Sequence, residues 1–332
     1  MECGQMTKID IFSGFLGAGK TTLIKKLIKE AYAGEKIVLI ENEFGEIGID
    51  GGFLQDAGVQ INEMNSGCIC CSLVGDFSKA LQQVSAQYAP DRIVIEPSGV
   101  GKLSDVIKAV AAAELKDAKL NAFCTVVDAA KCKMYMKNFG EFFNDQVENA
   151  SCIILSHTDK INEEKLSAAV ELLKEKNATA TYVTAPWDSL DGKAVLAAME
   201  KTDSLQAELD RLAHEVERHH EHHHDHECCE HEHHHHGHHH ADDVFTSWGV
   251  ETTRKFTKEE LLGALQAIAQ DETFFGTVLR AKGIVAGENA WLHFDYVPGE
   301  PDVREGGAAV TGRLCVIGCN LNERALKGIF NV

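Results

Sequence analysis

Residues 14–21 of this chain, GFLGAGKT, have the spacing of a phosphate-binding loop. They match G-x-x-x-x-G-K-[ST] and lie between an apolar strand-like run and a helix-like run, which is the context that the motif requires. Backbone N–H groups of such a loop, together with the positive end of the helix dipole, can bind the α- and β-phosphates of a nucleotide. The predicted phosphate-binding residues are Gly14, Gly17, Ala18, Gly19, Lys20, Thr21 and Thr22.

Three polar residues at the start of the helix-like run have separate predicted roles. Lys20 would reach the β- and γ-phosphates, the Thr21 hydroxyl would bind Mg²⁺, and Thr22 would reach the α-phosphate. A glycine-rich turn that fits the pattern by chance is the alternative, and the flanking strand and helix argue against it.

Two more polar segments follow strand-like runs, where open α/β sheets bind their ligands. EPSG (96–99) follows the run RIVI, so Glu96 is predicted to bind Mg²⁺ and the Gly99 N–H to contact a γ-phosphate. Lys20, Glu96 and Gly99 are therefore the predicted catalytic residues. An acidic turn that binds nothing is the alternative for this segment.

SHTD (156–159) follows the run CIIL, in the place where guanine-binding P-loop proteins carry N-K-x-D. The carboxylate of Asp159 would accept hydrogen bonds from N1–H and the 2-amino group of guanine. Ser156 and His157 stand where the usual motif has Asn and Lys, and with Asp159 they complete the predicted nucleotide-binding residues. This segment is therefore less specific for guanine than the loop is for phosphate.

Three thiols stand within four residues in GCICC (67–71). Adjacent cysteines rarely pair with each other because the bridge would be strained, and thiolates at this density suit a soft or borderline cation such as Zn²⁺. Three thiolates leave a tetrahedral site one ligand short, and ENEFGE (41–46) offers carboxylates after an earlier strand-like run. Buried small thiols and a solvated acidic loop are the alternatives.

A second concentration of metal ligands lies between His214 and His240, where there are 15 histidines, with Cys228 and Cys229 among them. Neutral imidazole is a common metal ligand, so this tract is predicted to gather or buffer metal ions. A cloning tag and a merely solubilising linker are the alternatives. The predicted auxiliary ligands are His219, His220, His222, His223, His224, His226, His231, His233, His234, His235, His236, His238, His239 and His240.

The elements that position these residues follow a regular pattern. Short β-branched runs at 7–12, 36–40, 92–95, 123–127 and 152–155 alternate with helix-like runs such as 21–32 and 163–176. This alternation predicts an α/β fold of the P-loop NTPase kind, a mostly parallel sheet with helices on both faces.

The later part of the chain changes character twice. Residues 213–243 contain almost nothing apolar, which predicts a flexible linker. Beyond it, helix-like runs at 258–270 and 323–330 and strand-like runs at 283–286, 290–297 and 309–317 predict a small α+β domain. The predicted boundaries are 1–212 for the first domain, 213–243 for the linker and 244–332 for the second domain. A length of 332 residues also suggests about two folded domains.

Composition excludes several classes of partner. Lys and Arg number 32 against 51 Asp and Glu, and a net charge of -19 opposes binding to a nucleic-acid backbone. Trp187, Trp248 and Trp291 have no basic neighbours that would suggest base stacking. No run approaches the ~20 apolar residues of a membrane span and no targeting signal is visible, so we expect a cytoplasmic protein with reduced thiols.

GFLGAGKTT, IENEFGE, NSGCICC and EPSG, in this order, resemble the CobW-type P-loop GTPases, relatives of the nickel-handling UreG and HypB proteins. The resemblance covers about the first 190 residues, and RAKGIV (280–285) and IGCNLNERAL (317–326) extend it to the C-terminal domain. It implies hydrolysis of GTP, with Mg²⁺, coupled to delivery of a transition metal. SHTD is its departure from the family pattern. The transition-metal ligands it implies are Glu41, Glu46, Cys68, Cys70 and Cys71.

The predicted function is that of a cytoplasmic GTP-dependent metallochaperone, with zinc as cargo and an apo-metalloprotein as client. Cobalt or nickel insertion for an enzyme or cofactor pathway is the alternative within this class. A metal-buffering protein with a regulatory nucleotide site and an ATP-using kinase are alternatives from other classes. Relatives of this P-loop class often dimerise across the nucleotide, so a homodimer is among the expected partners, whereas nucleic acid and membrane are not.

Several other residues are expected to be structural. Cys124, Cys132 and Cys152 lie in or beside apolar runs and are predicted to be buried thiols. His293 alternates with apolar residues and is predicted to lie on the polar face of a strand. The lysines of residues 131–137 are predicted to form a solvated helix face.

Overall fold

The computed structural model describes residues 6–42, 60–64, 74–201, 244–307 and 311–332. These residues form two sheets with their associated helices. Within the ranges just given, no helix combines the length and the apolar character that crossing a membrane would require.

The first sheet has seven strands, all parallel. They are β1 (Thr7–Gly14), β2 (Ile37–Asn42), β3 (Gln60–Met64), β4 (Arg92–Glu96), β5 (Ala118–Asp128), β6 (Cys152–Ser156) and β7 (Thr181–Val183). Their order is β3-β2-β4-β1-β5-β6-β7. The chain passes from β4 to β5 across β1, so the end of β1 lies at the crevice where α/β sheets bind ligands.

Helices cover both faces of this sheet. They are α1 (Lys20–Glu30), α2 (Val74–Tyr88), α3 (Leu103–Ala112), α4 (Cys132–Asn138), α5 (Gly140–Glu148), α6 (Glu163–Lys176) and α7 (Gly192–Met199). Leu23 of α1 and Val195 of α7 belong to the apolar core on one face, and Phe77 of α2 and Phe142 of α5 belong to the core on the other. Because both faces are buried, the central strands are almost continuously apolar. The predicted parallel α/β fold is confirmed.

The second sheet is mainly antiparallel. Its strands are β8 (Thr246–Thr252), β9 (Lys255–Phe256), β10 (Thr277–Gly287), β11 (Trp291–Val297), β12 (Glu300–Gly306) and β13 (Gly312–Cys319), and its helices are α8 (Lys258–Gln270), α9 (Glu272–Phe275) and α10 (Glu323–Phe330). The strand order is β12-β11-β10-β13-β8, and β9 pairs with β10. Leu265, Phe294 and Phe330 lie in its core. The predicted α+β character of this part is confirmed.

An aromatic cluster joins the two domains directly beneath the phosphate-binding motif. The ring centroid of Phe15, the second residue of the motif, lies 4.6 Å from that of Tyr135 and 5.4 Å from that of Phe139. Phe245, just before β8, lies 5.0 Å from Phe142 and 6.2 Å from Phe15. The motif is therefore held by apolar packing from both domains.

A buried polar cluster ties β1 to β4 and β5. Arg92 pairs with Asp10, both fully buried, and donates a second hydrogen bond to Glu35 over 2.6 Å. Asp10 also accepts hydrogen bonds from Asn121 over 2.8 Å and from Tyr32 over 3.0 Å. Burial raises the pKa of Asp10, and the charge of Arg92 and these hydrogen bonds offset only part of that rise.

Candidate functional site

The phosphate-binding motif forms the turn between β1 and α1. β1 ends at Gly14 and α1 begins at Lys20, whose Nζ donates a hydrogen bond to the Gly14 carbonyl over 3.0 Å. The Ala18 N–H donates to the Phe15 carbonyl over 3.2 Å and closes the turn. A Cβ on Gly14 would lie 2.4 Å from the Val126 carbonyl oxygen, so the strand can approach β5 this closely only with glycine.

Thr21 and Glu96 meet beside this turn. The Thr21 hydroxyl oxygen lies 3.0 and 3.1 Å from the two carboxylate oxygens of Glu96. Gly99 packs against the motif, since a Cβ on it would lie 3.0 Å from the backbone nitrogen of Leu16. Hydroxyl and carboxylate oxygens are ligands that Mg²⁺ accepts, so the donor set of Thr21 and Glu96 fits that ion. Thr22, the next residue of α1, is exposed.

Glu41 lies one strand away from Glu96. β2 and β4 are neighbours, and Glu41 and Glu96 are partners in their register. Adjacent strands are about 4.8 Å apart. Glu41 is only 4% exposed. A carboxylate predicted to bind the transition metal and a carboxylate predicted to bind Mg²⁺ therefore occupy neighbouring positions at the carboxyl ends of adjacent strands.

The other predicted transition-metal ligands lie outside the described residues. They are Glu46, Cys68, Cys70 and Cys71, together with all the histidines of residues 214–240.

The segment predicted to bind the guanine base, SHTD (156–159), begins at the end of β6. His157 has a left-handed backbone conformation with φ of 54°, and its Nδ1 lies 2.9 Å from a carboxylate oxygen of Asp128 at the end of β5. Ser156 is buried, and its hydroxyl donates to the Val127 carbonyl over 3.4 Å. Asp159 is exposed within a short 3-10 turn, Thr158–Lys160. Ser156 therefore anchors the segment, while Asp159 is accessible to a ligand.

Trp187 lies between the motif and this segment, a placement that its sequence neighbours do not indicate. Its indole Nε1 donates to the Leu155 carbonyl over 2.9 Å. Its ring lies 3.2 Å from the position that a Cβ on Gly19 would occupy. Trp187 thus presents a flat aromatic side chain beside both loops.

A cavity of about 440 Å³ lies over the motif and has walls from both domains. Its volume falls within the roughly 300–1,000 Å³ of typical small-molecule sites. The second domain contributes residues of β10, β11 and β12. The charged residues that line the cavity are Lys20, Lys25, Glu96, Arg280, Lys282, Asp295, Glu300, Asp302 and Arg304.

The turn between β11 and β12, residues 297–300, is here named the hairpin tip. A Cβ on Gly17, whose φ is 72°, would lie 2.1 Å from Cγ1 of Val297, so the motif and the tip are in direct contact. At the other end of the tip, the two carboxylate oxygens of Glu300 pair with Lys131 and Lys160, each over 2.8 Å. The hairpin tip therefore contacts the phosphate-binding motif and the segment after β6 at once.

The pairs made by Glu300 correct the prediction for Lys131, whereas Lys133 and Lys137 are exposed as predicted. The Lys131 side chain is only 14% exposed and binds the other domain instead of facing solvent. Burial raises the pKa of Glu300, but the hydrogen bonds and charges of Lys131 and Lys160 outweigh it and lower the pKa to about 2.

Asp128, His157 and Glu300 bring potential metal-ligand atoms within 4.8 Å of one another. Because two ammonium groups already bind the Glu300 carboxylate, we assign these residues to an ion-pair cluster instead of a metal site.

The cysteines that the structure describes in the first domain are structural, as predicted. Cys124 and Cys152 are neighbours across β5 and β6 and are fully buried, and Cys132 is buried as well. Burial raises the pKa of the Cys124 and Cys132 thiols, which keeps them protonated and unreactive.

The prediction that His293 lies on a polar strand face is wrong. The residue is 9% exposed, and its Nε2 lies 2.8 Å from the Gly307 carbonyl oxygen. The ring lies over Gly306, two residues along β12 from its register partner Arg304, and it fits there because a Cβ on Gly306 would come within 2.5 Å of it.

Two protein families account for most of the chain. Residues 8–184 match the nucleotide-binding domain of CobW/HypB/UreG. The chain belongs to the CobW/HypB/UreG family. Residues 245–332 match the C-terminal domain of the cobalamin synthesis protein CobW. The predicted resemblance to CobW-type P-loop GTPases is therefore confirmed.

Similar members of the CobW/HypB/UreG family carry names that refer to zinc. The zinc chaperone YjiA of Escherichia coli K12 is 34% identical over 191 residues, 55% of this chain and 58% of YjiA. The zinc chaperone YeiR of the same strain is 30% identical over 188 residues, 56% of this chain and 57% of YeiR. The chain thus spans somewhat more than half the length of these curated relatives. A crystal structure of Zn(II)-bound YjiA GTPase from E. coli aligns over 98% of both chains with 21% identity and a TM-score of 0.43.

Proposed function

We propose that this chain hydrolyses GTP with Mg²⁺ and couples hydrolysis to the binding of a transition metal and its delivery to an apo-metalloprotein. Zinc is the metal that we propose as the cargo. The observation that carries the proposal is the contact of Thr21 with Glu96 and the position of Glu41 on the adjacent strand. This arrangement supports the proposal, because the proposed Mg²⁺ ligands Thr21 and Glu96 lie next to Glu41, a proposed transition-metal ligand. The names of YjiA and YeiR support zinc as the cargo.

In the proposed complex the motif binds the triphosphate. Backbone N–H groups of residues 14–19 and the Thr22 hydroxyl contact the α- and β-phosphates, and Lys20 exchanges its hydrogen bond with Gly14 for the β- and γ-phosphates. Mg²⁺ bound by Thr21 and Glu96 would supply charge neutralisation at the phosphates. The Gly99 N–H, beside Leu16, is assigned to the γ-phosphate.

The base is assigned to the segment after β6. Asp159 is exposed there and would accept the two hydrogen bonds that guanine donates, while Ser156 and His157 hold the segment in place through Val127 and Asp128. Comparing GTP with ATP turnover tests this assignment and also separates a GTPase from an ATP-using kinase.

Coupling would follow from the shared sheet edge. GTP would draw residues 41–46 and 96–99 toward the γ-phosphate and Mg²⁺, and this movement would bring Glu41 and Glu46 to the thiolates of Cys68, Cys70 and Cys71. Hydrolysis would separate the ligands and release the ion. By linkage, the metal must tighten GTP binding by the same factor by which GTP tightens metal binding.

The test compares zinc affinity with GDP bound and with a non-hydrolysable GTP analogue bound. We expect tighter zinc binding with the analogue, within the roughly 5–150-fold range of typical coupling. Cys70→Ala should abolish the difference, whereas Cys319→Ala, a matched thiol in the second domain, should keep it. Equal zinc affinities in the two nucleotide states would overturn the proposal.

A metal-buffering function is the second candidate, favoured by the 15 histidines of residues 214–240. Buffering implies many ions bound per chain and no transfer to an apo-enzyme, whereas a chaperone transfers its ion when GTP is hydrolysed. Competition among zinc, cobalt and nickel with GTP and Mg²⁺ bound separates a zinc chaperone from a cobalt or nickel insertase.

A further inference from the structure

The second domain places two cations over the phosphate-binding motif. Arg280 and Lys282 stand two residues apart on β10, so their side chains share one face of the strand, and both line the cavity. Lys282 is 5% exposed, and the Arg280 side chain is 16% exposed. Charges held this far from water act more strongly on a bound ion than charges on an open surface.

The acidic residues of the same wall are matched by cations. Asp295 accepts two hydrogen bonds from Arg280, over 3.3 and 2.9 Å, and Asp302 pairs with Arg304. Glu300 is bound by its two lysines, as described above. The two hydrogen bonds to Asp295 orient the planar Arg280 guanidinium along this wall.

The charge of the cavity differs in sign from that of the molecule. Among the described lining residues, five side chains are basic and four are acidic, in a chain whose net charge is -19. A concave site with this local excess of positive charge favours an anionic ligand. The contact between Val297 and Gly17 holds the second-domain side of the cavity close to the phosphate-binding motif.

We propose that the nucleotide site is shared between the two domains, and that Arg280 and Lys282 bind the phosphate groups of the nucleotide held by the motif. This inference rests on the placement of the nucleotide proposed above. It assigns the C-terminal domain a direct part in nucleotide binding, in cis, through charge-assisted hydrogen bonds to phosphate oxygens.

The experiment uses the full chain and three ligands: GDP, a non-hydrolysable GTP analogue, and guanosine. Arg280→Gln and Lys282→Gln should each weaken binding of the two nucleotides roughly tenfold, as the loss of a hydrogen bond between charged groups implies. Guanosine, which has no phosphate, should bind as it does to the unaltered chain. Arg313→Gln is the matched control, because Arg313 is exposed on β13 and pairs with Glu251 outside the cavity. Unchanged nucleotide affinity in both test variants would overturn the inference.

Two further variants show whether a loss of nucleotide affinity comes from a lost phosphate contact or from a disturbed structure. Lys282→Arg keeps the charge and should retain nucleotide affinity. If this variant loses affinity and its unfolding temperature falls as much as that of Lys282→Gln, then the role of Lys282 is structural. The assignment of Lys282 to phosphate would then be wrong. Lys20→Ala tests the placement itself. If only Lys20→Ala weakens binding, the shared site is refuted and the motif stands; if Lys20→Ala also leaves affinity unchanged, the nucleotide placement is refuted.

Discussion

Two polar pairs of the first domain have different surroundings: Asp10 and Arg92 join β1 to β4, and Thr21 and Glu96 join α1 to β4. Asp10 and Arg92 are fully buried and satisfied by other residues of the domain, including Asn121 and Tyr32. Thr21 and Glu96 lie at the cavity, where their oxygens fit a metal ion. We therefore assign the Asp10–Arg92 pair to the stability of the domain and the Thr21–Glu96 pair to ligand binding.

Replacing Arg92 with Met should strongly destabilise the first domain, by about 3–5 kcal/mol, because it leaves the Asp10 carboxyl buried without its cation. The measurement is the free energy of unfolding from denaturant titrations followed by circular dichroism. Lys8→Met is the control, since Lys8 is 33% exposed and its ion pair with Glu200 should contribute less than about 1 kcal/mol. Similar decreases in the free energy of unfolding for the two variants would show that the buried ion pair stabilises the domain no more than the exposed one.

At the scale of secondary-structure elements, the sequence predicts the helices and strands whose residue pattern lies within one short segment. The helices at 163–176, 258–270 and 323–330 have the bounds that the sequence predicts, because apolar residues recur there at helical spacing. The sequence does not predict β12: in EPDVREG, Val303 is the one buried residue, and the strand exists because it pairs with β11. Alternation cannot reveal a strand whose register is set by its neighbour.

The same distinction applies to the candidate site. The phosphate-binding motif is contiguous, so its residues can be named from the sequence. The partners of Glu300 cannot, since Lys131 is 169 residues away in the chain and the domain interface alone brings them together. Arg280, Lys282 and Trp187 are missing from the sequence prediction for the same reason.

Glu300→Gln should weaken the contact of the hairpin tip with the first domain in a pH-dependent way. The pKa of Glu300 is lowered to about 2 in the folded chain, against about 4.3 in an unfolded one. Its ion pairs therefore stabilise the fold fully above about pH 4.3, and this stabilisation is lost as the pH falls toward 2. Unfolding temperatures should differ between the variant and the unaltered chain at pH 6 and converge as the pH falls below about 4.

The control for this measurement is Glu251→Gln, which removes an exposed ion pair with Arg313 inside the second domain. Its unfolding temperature should stay close to that of the unaltered chain across the same range. A difference for Glu300→Gln that persists undiminished at the lowest pH would show that its carboxylate charge is not the cause.

At the scale of the whole molecule, the two domains share a core. Phe245, Leu279 and Ile317 of the second domain belong to the same apolar cluster as Phe15 and Phe142 of the first. An interface of this kind resembles a domain interior more than a transient contact. The two domains should therefore respond together when one of them is perturbed.

Deleting residues 213–243 should lower the number of zinc ions bound per chain and leave GTP turnover unchanged, because this tract holds 15 of the 17 histidines and none of the proposed nucleotide ligands. A variant with a Gly/Ser segment of equal length in its place keeps the domains connected and serves as the matched control. Equilibrium dialysis gives the stoichiometry. The ions bound by the tract should also be released below about pH 6.5, as imidazole protonates. The same stoichiometry with and without the tract would refute its role.

The contact of one hairpin tip with both nucleotide loops has a kinetic consequence. A nucleotide that left the cavity past this tip would require Val297 to separate from Gly17 and Glu300 to separate from its two lysines. On that route, the residence time of GDP would depend on how often the domains separate as well as on the strength of the phosphate contacts. Under the proposed function, a client that pulled on the second domain would accelerate nucleotide exchange without touching the nucleotide.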